Sequence, residues 1–222
     1  MNFLNQNWWK WLSIGVLFYV LIAGLIGPVP RLAILNETIR VLYFHVPMWF
    51  GMIIILTASM VYAIKFLSAD DPKLDHLSVE LANVGVLFGV LGILTGMLWA
   101  NYTWGAPWSN DPQQNAAAIG LLIYFAYFIL RGSLQDEQQR ARISAIYNIF
   151  AYAALIPLLF ILPRLTDSLH PGSGGNPGFN AYDLDSNLRF VFYPAVVGWT
   201  LLGCWITSIR YRMRRIKETL EE

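Results

Sequence analysis

Six apolar runs, each nearly free of charge, recur along this chain at residues 11–28, 42–67, 79–100, 115–130, 144–162 and 190–209. Each approaches the roughly 20 residues that a helix needs to cross a hydrocarbon core. The expected fold is therefore an all-α integral membrane bundle of six transmembrane helices. A soluble domain of 222 residues could not cover 56% hydrophobic residues with 13% charged ones. The longest interruption, Pro163 to Arg189, is too short for a second folded unit, so residues 1–222 read as a single membrane domain. The first run is too long for a signal segment. It leads into Gly27-Pro28-Val29-Pro30 rather than a small-residue cleavage site, and is expected to be a retained anchor.

Orientation follows from the lysines and arginines on alternate sides of the spans. Lys10, Lys65, Lys73, Arg131, Arg140, Arg142, Arg210, Arg212, Arg214, Arg215 and Lys217 share one side, whereas Arg31, Arg40, Arg164 and Arg189 share the other. That bias puts both termini in the cytoplasm and the loops 29–41, 101–114 and 163–189 outside. The basic tail reads as a topology anchor beside anionic lipid rather than a nucleic-acid surface. The cytoplasmic turns Ser68 to Leu77 and Gly132 to Arg142 look short, charged and unspecialised. The outer loops are aromatic or rich in Gly and Pro, so chemistry is sought there.

The second outer loop carries Trp99, Tyr102, Trp104 and Trp108, three of the nine tryptophans of the chain. Tryptophans at span ends commonly form an interfacial aromatic belt. Trp104 and Trp108, however, flank Gly105 and Pro107, which shape a defined backbone that a flat ligand can approach. Spacing alone leaves belt and platform both open. Asp111-Pro112-Gln113-Gln114 reads as a helix start, with Asp111 as N-cap, Pro112 at the first helical position and Gln114 closing a capping box. Asp111 is also placed to brace the aromatic loop against the fourth helix.

The chain has three histidines. His76 lies beside Asp75 in a charged cytoplasmic turn and is expected to be solvated. His45, near the outer end of the second span, reads equally as an interfacial residue and as a functional ionisable group. His170 falls in the third outer loop. Two neutral imidazoles on the side of a tryptophan-rich loop match what haem iron needs, ligands above and below a flat ring with apolar walls. Cys204, the single cysteine, lies in the last span. A CxxCH attachment is therefore excluded, and any haem is held without a thioether bond. The Gly172 to Gly178 run lacks the GK[ST] ending of a phosphate loop. No pattern points to hydrolytic chemistry.

Arg40-Val41-Leu42-Tyr43-Phe44-His45-Val46-Pro47, Trp104-Gly105-Ala106-Pro107-Trp108-Ser109-Asn110-Asp111-Pro112 and Leu169-His170-Pro171-Gly172-Ser173 together resemble the CcmC (haem exporter protein C) family of cytochrome c maturation, with its WWD-type loop. The likeness covers nearly the whole chain. It implies a site for non-covalent haem b at the periplasmic face of a bacterial inner membrane. His45 and His170 are the implied iron ligands, the tryptophan loop the platform, and Arg40 the partner of a propionate. It also implies hand-over of haem to the chaperone CcmE, with the ABC transporter subunits CcmA and CcmB and the small subunit CcmD as partners. The ATPase would lie on a partner, this chain itself being a haem-binding subunit and not an enzyme. The family loop usually reads Trp-x-Trp-Asp followed closely by a basic residue. Here Asn110 stands in place of that tryptophan and Gln113 in place of the basic residue, with Trp99 or Tyr102 available as aromatic surface.

Two other functions are weighed. A cytochrome c haem lyase of the related CcsA type uses the same kind of loop, but is usually larger and has further histidines in its spans. A b-type electron-transfer cytochrome needs histidines buried in helices, whereas His170 falls in a loop.

Overall fold

The computed structural model describes residues 7–30, 35–170 and 184–221. Six helices follow the six apolar runs: α1 (Trp8–Ile26), α2 (His45–Ala69), α3 (Pro72–Thr103), α4 (Pro112–Ser133), α5 (Glu137–Phe160) and α6 (Ser186–Glu221). All six are long and apolar enough to cross a membrane. The protein is an all-helical, multi-pass membrane protein.

Several helices outrun the apolar stretches that announce them. α3 begins at Pro72 because Asp71 accepts a hydrogen bond from the Lys73 N–H and Pro72 pre-sets the first turn. α6 continues well past residue 209 to Glu221. Hydropathy marks where lipid ends, whereas backbone hydrogen bonding continues for as long as side chains can be solvated or paired. The first outer loop is also more ordered than its composition suggests, since Asn36–Tyr43 forms a 3₁₀ helix against α2. The aromatic loop narrows to Trp104–Asp111. In the third, a turn at Leu162–Arg164 leads down to His170. Arg31, Pro171, Gly172, Ser173 and the glycine run fall outside the described residues.

α2 is the centre of the bundle, packed along α3 and touching α5 and α6. α1 lies on α6, and α4 on α5 and α3. The α2–α3 seam is a row of side chains fitted over glycines. A Cβ on Gly85 would stand 2.5 Å from Leu56, on Gly89 2.8 Å from Met52, on Gly92 2.8 Å from Trp49, and on Gly96 2.7 Å from His45 Cε1. Without water to drive helices together, small residues that allow close approach supply the packing. The antiparallel match of 45, 49, 52 and 56 to 96, 92, 89 and 85 fixes the register of both helices. His45 is its last member. Lower in the bundle, Ser59 and Ser78 donate to each other's backbone carbonyls, and the buried Asn148 amide of α5 donates to both hydroxyls.

The basic end corrects two expectations. Its turns are not merely solvated: Arg131 forks onto the Asp75 carboxylate at 2.9 and 2.6 Å, and Asp75 is only 4% exposed. Nor is His76 free in solvent, since its Nδ1 lies 3.1 Å from Glu218 on α6. Part of the basic tail is likewise committed, with Arg210 Nε 2.7 Å and Arg214 3.5 Å from the buried Glu80 of α3. Unpaired carboxylates at this depth would be costly, so arginines from α4 and α6 close over α3.

Candidate functional site

The 3₁₀ helix, the starts of α2, α4 and α6 and the ends of α3 and α5 meet around a cavity of about 330 Å³ at the end opposite the basic cluster. Its volume falls at the lower end of small-molecule pockets, roughly 300–1,000 Å³. His45 and His170 both line it, with Trp49, Trp99 and Trp108, and most of the remaining wall is aliphatic.

His170 is placed by Asp111. The N-cap expected of Asp111 is present, its Oδ1 accepting from Gln113 N at 2.9 Å. The same carboxylate also accepts from Ser168 Oγ at 2.9 Å, Leu169 N at 2.7 Å and His170 Nδ1 at 2.8 Å. With its side chain only 1% exposed, Asp111 collects four donors and pins the third outer loop to the start of α4. Burial pushes the Asp111 carboxyl up, but the Leu169 N–H, the neighbouring His170 and the Ser168 hydroxyl outweigh it and hold the group below its usual value. Burial likewise lowers His170 despite the opposing pull of Asp111, which favours the neutral imidazole. Because an ionised carboxylate can only accept, the His170 proton sits on Nδ1 and leaves the Nε2 lone pair for a ligand. The expected capping box is modified. Gln114 Oε1 reaches back not to Asp111 N but to Ser109 N at 3.0 Å and Ser109 Oγ at 3.2 Å, fastening the aromatic loop instead.

His45 opens α2 with its ring against Gly96, its Nδ1 3.1 Å from Thr95 Oγ1 and Trp49 edge-on at 6.2 Å. The loop tryptophans divide their work. Trp99 and Trp108 face the cavity, while Trp104 stands between Trp99 (5.2 Å) and the His170 ring (4.9 Å), edge to face with each. Gly105 turns the backbone at φ +80°, a left-handed conformation that L side chains rarely adopt. Asn110 takes φ +55°, and its carbonyl accepts from Asn115 Nδ2. Asparagine tolerates this region far better than a bulky side chain does. Gln113 lines the cavity wall.

Two residues singled out in the sequence lie elsewhere. Tyr102 is 75% exposed and does not reach the cavity, so Trp99 supplies the aromatic wall. The Arg40 guanidinium binds the carbonyls of Gly24 and Gly27 at 2.9 and 2.8 Å and the Glu37 carboxylate at 2.8 Å. It satisfies the open carbonyls at the end of α1. Conversely Trp49, Thr95, Gly96 and Ser168 were not anticipated. Of these only Trp49 carried a signal, one helical turn beyond His45.

The lining suits haem. Two histidines, each with Nδ1 at a hydrogen-bonding partner, line a largely apolar space that three indoles also line.

A family model described as heme exporter protein C (CcmC) matches residues 2–221. Heme exporter protein C of Haemophilus influenzae is 24% identical over 194 residues, 82% of this chain and 74% of that protein. Cytochrome c biogenesis protein CcsA of Prochlorococcus marinus is 40% identical over 78 residues, and that of Thermosynechococcus vestitus 45% identical over 58. These segments cover 25% and 18% of the respective CcsA proteins, so the chain spans only about a quarter or less of their length.

Proposed function

The chain belongs to the heme exporter protein C family, whose role is haem handling in cytochrome c biogenesis, and we propose that it binds non-covalent haem b at the periplasmic face of a bacterial inner membrane and presents it for transfer. The observation that carries this is that His45 and His170 line one largely apolar cavity together with Trp49, Trp99 and Trp108. Haem, when bound, would supply an exchangeable iron centre and a flat apolar ring. His45 and His170 would hold the iron through Nε2, and Trp99 and Trp108 would pack against the ring. Two ligands on separately anchored outer segments form an exchangeable site suited to a carrier. With Arg40 held by α1, recognition of a propionate falls to other polar groups, of which Gln113 is already in the wall.

The acceptor is a haem chaperone of the CcmE kind, with CcmA and CcmB supplying ATP hydrolysis and CcmD as the small subunit. In this arrangement the chain is a binding and hand-over subunit. A lyase of the CcsA type is the alternative, supported by the segments shared with CcsA, which cover a minor part of those proteins. To decide between them, the haem-loaded protein is mixed with a purified CcmE chaperone or with an apocytochrome bearing CxxCH. Passage of haem to the chaperone alone is expected. Thioether formation on the apocytochrome by this chain alone would overturn the proposal in favour of the lyase.

A further inference from the structure

We infer that the two histidines are unequal ligands, His170 the one that retains iron and His45 the one that is exchanged, an assignment that rests on the haem reading of the site. The difference lies in what stands behind each imidazole. Thr95 Oγ1 has a single proton, which it donates within its own helix to Leu91 O at 2.8 Å or Gly92 O at 3.1 Å. With that proton committed, Thr95 Oγ1 accepts from His45 Nδ1, and that contact, 3.1 Å long, is between neutral groups, as is the backbone hydrogen bond of His45 at Gly92. His170 Nδ1 instead meets a buried carboxylate at 2.8 Å. The other three groups on Asp111 are two backbone N–H groups and a hydroxyl, none of them cationic, so its negative charge remains beside the His170 ring. Hydrogen bonds to a charged acceptor are about twice as strong as neutral ones. A carboxylate behind a ligating histidine raises its basicity as a metal ligand, which a hydroxyl does far less.

Position adds to polarity. His45 projects from the first turn of α2 with its ring wedged over Gly96, the last fitted pair of the α2–α3 seam. Its place is set by the register of the two helices. His170 stands on a loop segment held to the α4 start by Asp111, with its ring packed against Trp104. Asp111 and Thr95 are thus positioning residues that grade the two ligands, and a partner's ligand would replace His45 while His170 still holds.

The test uses the full chain purified with haem. His170→Gly should lose far more haem than His45→Gly, and added imidazole should restore the wild-type absorption spectrum of the latter. Asp111→Asn keeps a side-chain oxygen for only one of the Gln113 and Leu169 N–H groups, which Asp111 serves with different oxygens, and removes the charge, so it should weaken haem binding by about 10–100-fold. It should also raise the haem reduction midpoint, because a charge that favours the oxidised iron has gone. Thr95→Val should move the midpoint much less, and Thr95→Ser should behave as wild type. Equal losses in the two glycine variants, or a larger loss in His45→Gly, would overturn the inequality while leaving the haem site standing. Full haem retention in both would overturn the haem site itself.

Discussion

Asp111 and His170, 59 residues apart in the chain, are joined by a hydrogen bond of 2.8 Å from the imidazole Nδ1 to a carboxylate that is otherwise the N-cap of α4. One side chain therefore starts a membrane helix, docks the third outer loop and sets the tautomer of a candidate ligand.

That coupling has a pH dependence. Burial lowers His170 below the ordinary imidazole value of about 6.5, so the docked loop favours the neutral ring. The contribution is whole above pH 6.5 and is lost as pH falls through the lowered folded-state value, because only the undocked state binds the proton readily in between. Haem retention, followed by absorbance on acidification, should be flat above about pH 6.5 and fall below it. A loss beginning well on the alkaline side would contradict this.

Gly96→Ala should displace His45. Its Cβ would stand 2.7 Å from the ring, closer than side chains tolerate, whereas nothing lies within 4 Å of a Cβ on Gly132. Haem content should drop in Gly96→Ala and stay at the wild-type level in Gly132→Ala, with both proteins extracted in similar yield. Equal haem content in the two would remove Gly96 from the seat of His45.

Asn110→Trp restores the residue common in the family loop, but at φ +55°. The strain should cost about 1–3 kcal/mol and lower the thermal midpoint, with Asn110→Gly tolerated. An unchanged midpoint in Asn110→Trp would show that the loop accommodates the family residue without strain.

Arg131→Ala should destabilise the fold by about 3–5 kcal/mol, because it leaves Asp75 buried and unpaired. Haem bound per folded molecule should stay the same, since this pair lies at the other end of the bundle. A selective haem loss without destabilisation would instead couple the two ends.

Local patterns were readable where a residue's role depends on its near neighbours in sequence. The six spans followed from runs of apolar residues, and the Asp111 cap from Pro112 beside it. Pairings across the fold left no such trace. Capping alone accounted for Asp111, so nothing in sequence called for His170 as a second partner. Asp75 sat in a turn that looked solvated and Arg131 read only as one of the basic residues on that side, and only the convergence of α3 and α4 buries them together. The glycines of α3 are spaced so that they share one helix face, but the fit of His45 over Gly96 depends on the register of α2. Arg40 reads as a free guanidinium until the end of α1 is seen to need donors.

The most direct measurement is the absorption spectrum of the detergent-purified protein expressed with haem, compared with the His45→Ala/His170→Ala double variant. A histidine-ligated haem spectrum in the wild type that collapses in the double variant is the expected result. No haem in the wild type, or a spectrum untouched by the two substitutions, would contradict the assignment of the cavity between Asp111-bound His170 and Thr95-bound His45 as the haem site.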